Sequence, residues 1–381
     1  MIPFARMIQY GNNIPRAARI QTVKTLQYNV FILLDDGRLY GRGRNQNYQL
    51  GTGVNTPTIV EEWTLCLENV KEFWCTGSVS GILAVKYDGT WWSTGQQTYR
   101  GITTIHQTWT DVTSIFSTVT NTYQKIVIGS GVTLLLTNTG ELYKMGYNVN
   151  GEVFTGNATT RVTTLTLTPE VNVVDIGASM DTSSFVLYAD GTLKGSGNNG
   201  SWTSGSTLVT TLTTITTGVL KINSENSYNA VYVQKSDGIY VAGSQFMGQL
   251  GDGVNGSAST SRSIYKIPVA TNPGEVDYIG SSNYVVHMRS TSGVWYFAGR
   301  DGRQAGNGIT SSSAITTYTA LPNIGMNSTE MSHTYLITFV VIDGVLYGSG
   351  NGSTTSGLGV IPYVEAGAGS TGLFKMINTP S

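Results

Sequence analysis

Catalysis needs nucleophiles, acid–base pairs or metal ligands at workable spacing, and this chain offers few. Its three histidines, His106, His287 and His333, are far apart in sequence, and no H-E-x-x-H or Cys-x-x-Cys pattern supplies a zinc set. The two cysteines, Cys66 and Cys75, are too few for a disulfide framework and read as reduced thiols. No G-x-S-x-G elbow joins a strand to a helix. The acid pairs Asp35-Asp36 and Glu61-Glu62 are adjacent in sequence, and the first belongs to a turn. Residues 195–200, Gly-Ser-Gly-Asn-Asn-Gly, match G-x-G-x-x-G, but Thr/Ser-rich β sequence follows where a dinucleotide site needs a helix. We therefore expect no enzyme, no cofactor and no metal site. What remains is a set of aromatics and one arginine, each shortly after a glycine: Tyr48, Tyr99, Tyr147, Trp202, Phe246 and Arg303. Such residues contact partners when they gather on one surface.

The elements that must position them are repeated. Seven copies share an apolar run, a turn ending in glycine, an apolar–aromatic pair and a second glycine. The turn glycines are Gly37, Gly89, Gly140, Gly191, Gly238, Gly293 and Gly344, so the period is close to fifty residues. Asp-Gly, Thr-Gly or Ser-Gly between β-rich runs signals a hairpin. No segment keeps a helical apolar period. In most copies the two residues after the turn, such as Leu39-Tyr40 and Leu142-Tyr143, are both apolar or aromatic, so each sheet is covered on both faces. A β period of this length predicts a β-propeller of seven four-stranded antiparallel blades. Strand alternation then puts the loops after the second glycines on one ring face. There Tyr48 and Phe246 read as packing between blades, and Trp202, flanked by Gly200, Ser201 and Thr203, reads as the best contact residue.

We expect a short arm at residues 1–13 and one propeller domain over 14–381. The first 34 residues hold Arg6, Arg16, Arg19 and Lys24 but no acid, and a basic arm of this kind could dock on a neighbouring subunit. At the other end, Leu373-Phe-Lys-Met-Ile-Asn378 resembles the segments that open other copies. It is predicted to close the ring by pairing in a blade with N-terminal strands.

The segment Leu33-Leu-Asp-Asp-Gly-Arg-Leu-Tyr-Gly-Arg-Gly-Arg-Asn-Gln-Asn-Tyr-Gln-Leu-Gly-Thr-Gly53 resembles the repeat of the regulator of chromosome condensation family, and Gly248-Gln-Leu-Gly-Asp-Gly253 repeats its tail. The resemblance spans roughly residues 26–359 and implies a seven-bladed propeller. It also implies an interaction role: nucleotide exchange on a small GTPase, or inhibition of another protein through one ring face. Copies 2, 3, 4 and 7 lack the Gln-Leu-Gly tail. The family often has a histidine just before the second strand; His333 would fill that role, with Asn29, Ser80 and Ser183 at comparable places.

Composition narrows the function classes. Charged residues are 12% of the chain, and 22 basic against 23 acidic residues leave a net charge of −1. That argues against nucleic-acid binding by bulk electrostatics. No apolar run is long enough to span a bilayer, and the first residues do not read as a signal peptide. Low charge with Thr/Asn/Gly-rich strands suits a virion protein. The leading expectation is a non-enzymatic virion component, a bacteriophage tail, fibre or capsid-decorating protein. It would serve assembly or host attachment, bound to other virion proteins or a host surface receptor. The alternatives are the cellular interaction propeller that the resemblance implies, and a carbohydrate-binding receptor protein.

Overall fold

Apolar runs separated by glycine-centred turns fold into antiparallel hairpins, and the computed structural model consists of little else. It describes residues 18–75, 81–179, 183–205, 207–223, 230–257, 260–281, 284–300, 304–308, 313–321, 328, 331–334, 337–351 and 370–380. The strands form seven four-stranded antiparallel sheets, each made of four strands consecutive in sequence. The blades run Ile20–Leu67, Val70–Asp111, Tyr123–Leu167, Val173–Thr216, Val219–Lys266, Val276–Ala320 and Met331–Met376. The predicted propeller is present, one repeat to a blade.

The glycine pair of each repeat has a local cause. All seven second glycines, from Gly43 to Gly350, have φ between 73° and 154°. The pairing of third and fourth strands shifts register at each of them. A Cβ on Gly299 would stand 2.1 Å from the Tyr284 carbonyl oxygen, so side chains are excluded by space as well as by conformation.

Burial is organised by seam. Seven apolar clusters each join two successive blades. Between blades 2 and 3 the cluster is aromatic: Trp91 stacks on Trp74 at 5.5 Å and on Phe116 at 4.1 Å, with Tyr123 edge-on to both tryptophans.

Ring closure differs from the expectation. Residues 370–376 do form a strand, but it is the fourth strand of blade 7, and among the described residues no N-terminal strand joins that sheet. Blade 1 is complete by itself, so the last seam closes by packing. Ile20, Val23, Val30 and Ile32 bury against Ile337, Phe339 and Ile377. Thr25 Oγ1 donates to the His333 carbonyl at 2.7 Å, and Trp63 Nε1 donates to the Asn378 carbonyl at 2.8 Å. Of the proposed docking arginines, Arg6 and Arg16 lie outside the described residues, as does the arm at 1–13. Arg19 is exposed and packs beside the blade 7 turn glycine Gly344.

The histidine assignment is also corrected. His333 ends the first strand of blade 7 (Met331–His333) and does not precede the second, which begins at Ile337. Of the three comparable positions, Asn29 and Ser183 open second strands and both donate to main-chain carbonyls at the end of the third, while Ser80 lies outside the described residues.

The topology gives two unlike ring faces. One, the turn face, carries the Gly-centred turns between second and third strands and the connectors between blades. The other, the loop face, carries the first-to-second and third-to-fourth loops, as the sequence alternation requires. Helix is confined to single turns such as Thr113–Phe116. No helix among the described residues is long and apolar enough to cross a membrane.

Candidate functional site

The first strands line a central cavity of about 840 Å³. Blades 1, 2, 4, 5 and 6 open with one burial pattern: buried, exposed, half-buried, buried. Pairing skips the exposed residue each time, so it is a β-bulge, and in blades 1, 2 and 6 the skipped residue lines the cavity. These residues are Gln21, Lys71, Val174, Leu220 and Asp277; Gln124 is skipped likewise in blade 3. The half-buried residue that follows reaches the neighbouring blade. Lys125 Nζ bonds Asp175 at 2.9 Å, Lys221 Nζ donates to the Asp277 carbonyl at 2.8 Å, and Tyr123 Oη donates to Glu72 at 2.9 Å. Lys24, one tier deeper, donates to the Phe73 carbonyl at 2.8 Å. Charge therefore alternates round much of the wall, and the wall stitches blades together. Toward the loop face the first strands end in buried residues, including Thr25, Cys75, Ala178, Ser281 and His333, while the exposed bulge residues stand at the turn-face end of this funnel.

The sequence-selected loop residues divide into two groups. Tyr99 and Trp202 are buried, at 0% and 5% exposure. Tyr99 Oη donates to Gln97 Oε1 at 3.0 Å, and Trp202 stands edge-on to Phe185 at 5.7 Å. The reading of Trp202 as the best contact residue is therefore corrected: its indole fills the seam between blades 4 and 5. Tyr48, Tyr147 and Phe246 are half-buried on the loop face, Phe246 lying 5.7 Å from Tyr284. Arg303 lies outside the described residues.

Sequence reasoning missed a better-ordered set on the same face. Arg44, at the end of a third strand, lies over Tyr28 at 4.6 Å, and Arg300, at the equivalent place in blade 6, lies over Tyr284 at 5.3 Å. Arg161 lies over Tyr147 at 3.9 Å and donates to its hydroxyl at 2.5 Å. None of the three makes an ion pair among the described residues. Each guanidinium lies over a tyrosine ring, an arrangement compatible with donation to a carboxylate. The signal was available: Arg44 and Arg300 both follow a second glycine, and a tyrosine precedes the second strand in both repeats. The exposed acids on that side of blade 1, Glu61 and Glu62, lie on its outer strand.

Buried polar groups suggest chemistry at first sight. Ser93 Oγ and His106 Nδ1 are 2.9 Å apart, but Ser93 is fully buried and also accepts from Arg100. No substrate reaches that hydroxyl. Burial, then the Arg100 charge, holds His106 below the usual histidine range. His287 and His333 meet at 2.8 Å between Nδ1 and Nε2, both buried. His287 Nε2 donates to the Ala305 carbonyl at 3.1 Å, so its Nδ1 accepts from His333. Burial lowers the His287 pKa to about 4 and His333 well below its normal value, so both rings are neutral at pH 7. Cys66 and Cys75 are not joined in a disulfide, and burial pushes the Cys66 thiol up to about 12. No group of three or more potential metal ligands occurs among the described residues.

No protein-family model matches the chain, and no curated protein sequence does. Solved structures do. Prp20p from Saccharomyces cerevisiae superposes with a TM-score of 0.72 at 16% identity, over 95% of this chain and 88% of that one. Yeast RCC1 (Prp20) in complex with Kap60 gives 0.70 at 16% identity, covering 96% and 91%. Human WBSCR16 gives 0.65 at 18% identity, covering 83% and 85%. The chain has the fold of these RCC1-like seven-bladed propellers, and identities this low carry the fold alone.

Proposed function

We propose that the protein is a non-enzymatic interaction propeller that docks a protein partner on its loop face. The observation that supports this is the three tyrosine-stacked arginines, Arg44, Arg161 and Arg300, which project from blades 1, 3 and 6 of one face without an acidic partner among the described residues. Guanidinium groups held in this way suit a carboxylate-bearing protein surface. The solved neighbours add support by analogy: the yeast propeller was described with its binding to Gsp1p and histones, and in complex with Kap60. This favours a cellular interaction module over the virion component that composition suggests. The site chemistry gives no specific support to glycan binding.

The test is affinity capture with the wild-type chain and with an Arg44→Glu/Arg161→Glu/Arg300→Glu variant, read by quantitative mass spectrometry. Partners of the loop face should be recovered at least tenfold less by the variant, at unchanged melting temperature. Recovery of one and the same set by both proteins rejects this face. Nucleotide release from candidate small GTPases, measured alongside, separates an exchange factor from a simple docking ring.

A further inference from the structure

The opposite face carries a second, chemically different feature. At the rim of the funnel, between blades 2 and 3, lies a cleft of about 230 Å³. Its floor is the aromatic stack, with Trp91, Phe116 and Tyr123 lining it and Val119 on its wall. The connector over residues 112–122, with its single helical turn, supplies Phe116 and Val119. Two lysines border it. Lys71, the exposed bulge residue of blade 2, lines both the cleft and the funnel, and Lys86 holds its ammonium 4.2 Å from the Trp92 ring centroid. Neither lysine makes an ion pair among the described residues. Of the nearby carboxylates, Asp88 and Asp111 lie close enough to Lys86 for its charge to help hold their pKa values down, after their own hydrogen bonds. Asp88 accepts from the Thr90 main chain and hydroxyl, Asp111 from the Thr113 main chain, and Glu72 from Tyr123 Oη. Tyr87, 59% exposed, stands beside Lys71 as the outer wall.

An apolar slot with room for one large side chain, bordered by the exposed Lys71, which makes no ion pair among the described residues, has a defined complement. We infer that this cleft is an anchor site for a protein segment that inserts one large apolar side chain and places a neighbouring Asp or Glu on Lys71. Aromatic-lined pockets at the edge of a larger polar cavity are where such anchors concentrate binding energy. The site is on the turn face and uses no residue of the loop-face set, so it stands or falls separately from the reading above.

Fluorescence polarisation with a labelled peptide, Gly-Ser-Asp-Glu-Leu-Phe-Glu-Asp-Ser-Gly, tests it. Three controls accompany that probe: Ser in place of Leu and Phe, Lys in place of every acid, and the triple loop-face variant. Saturable binding to the wild type is expected, about tenfold weaker for either altered peptide. Val119→Trp, which fills the cleft, and Lys71→Glu, at an exposed position that folding does not need, should each weaken binding about tenfold. The loop-face variant should bind as the wild type does. Absence of saturable binding, equal binding of the lysine peptide, or binding that survives Lys71→Glu overturns the inference. Should Val119→Trp fail to fold, the lysine substitution and the two altered peptides still decide it.

Discussion

Glu152 stands where blade 1 has Gln49. The Glu152 Oε2 accepts from the Asn150 main chain at 2.7 Å, as Gln49 Oε1 accepts from Asn47 at 3.0 Å. Blade 3 therefore keeps the tail loop, although its sequence, Asn150-Gly-Glu-Val153, hides the Gly-Gln-Leu-Gly pattern. The other carboxyl oxygen is buried without a partner, where a glutamine amide would donate. Gln249 does so in blade 5, to the Ser244 carbonyl. Burial pushes the Glu152 carboxyl up to about 7. A raised carboxyl pKa contributes its stability below the unfolded value, near 4.5, and loses it as pH rises through 7. Glu152→Gln should therefore raise the melting temperature at pH 8 by a few degrees, for a gain on the order of 2 kcal/mol. The gain over the wild type should be smaller at pH 5 than at pH 8. Thermal melts across that range check it, and an unchanged slope would show that Glu152 is not the titrating group. The same position explains why Tyr99 reads wrongly from sequence. Its carbonyl accepts from Thr133 Oγ1, as that of Glu152 accepts from Ser184 Oγ, so the loop turns its side chain into the ring. A residue's place after a glycine is legible, but the direction in which the loop turns it is set by the next blade.

The same dependence on neighbours governs the strands. Turn glycines and second glycines are legible because backbone conformation restricts the residue type. The bulge in the first strands was not legible, because its residues, Gln21, Lys71, Val174, Leu220 and Asp277, share no chemistry. Their common property is exposure at the position that the pairing skips. The pair His287–His333 shows a seam between elements carrying its own pH response. His287 pairs across its hairpin with Phe297, as Phe31 pairs with Gly41 and Phe339 with Gly348, so an aromatic ring is the usual occupant of its position. Both histidine pKa values are lowered, chiefly by burial. The unfolded chain then binds more protons below about pH 6.5, and stability is full above that pH and falls toward pH 4. The slope is opposite to that of Glu152. At pH 5 the loss is on the order of 2 kcal/mol. Both proteins carry the opposite response of Glu152, so the pair shows in the difference: on going from pH 7 to 5, a His287→Phe/His333→Ser variant should gain several degrees of melting temperature relative to the wild type. Equal acid sensitivity in both proteins would place the response elsewhere.

At the scale of the ring, period and blade count were legible because every copy faces the same packing problem. Closure was not, because it depends on which sheet receives the last strand. Sequence likeness between residues 373–378 and the opening segments suggested sharing with blade 1. In the fold the chain instead completes each blade before starting the next, and all seven seams are packed by side chains, with hydrogen bonds such as Ile20 N–H to the Gly344 carbonyl at 3.2 Å in the last seam and Val70 N–H to the Gly37 carbonyl at 2.9 Å in the first. No seam then has a topological privilege, and the covalent ends can be moved. The connector between blades 4 and 5, Thr217–Gly218, is short and exposed, and a Cβ on Gly218 would meet nothing within 4 Å. A circular permutant that joins Ser381 to Met1 and begins at Gly218 should fold to the same far-ultraviolet circular dichroism, with a melting temperature within a few degrees of the parent. Contacts in a repeat array are between nearest neighbours, so the permutation exchanges one covalent connector for another and leaves every interface intact. A permutant that is insoluble or lacks a cooperative transition would mean that the seam between blades 7 and 1 needs its free ends, and that closure by packing alone is not enough.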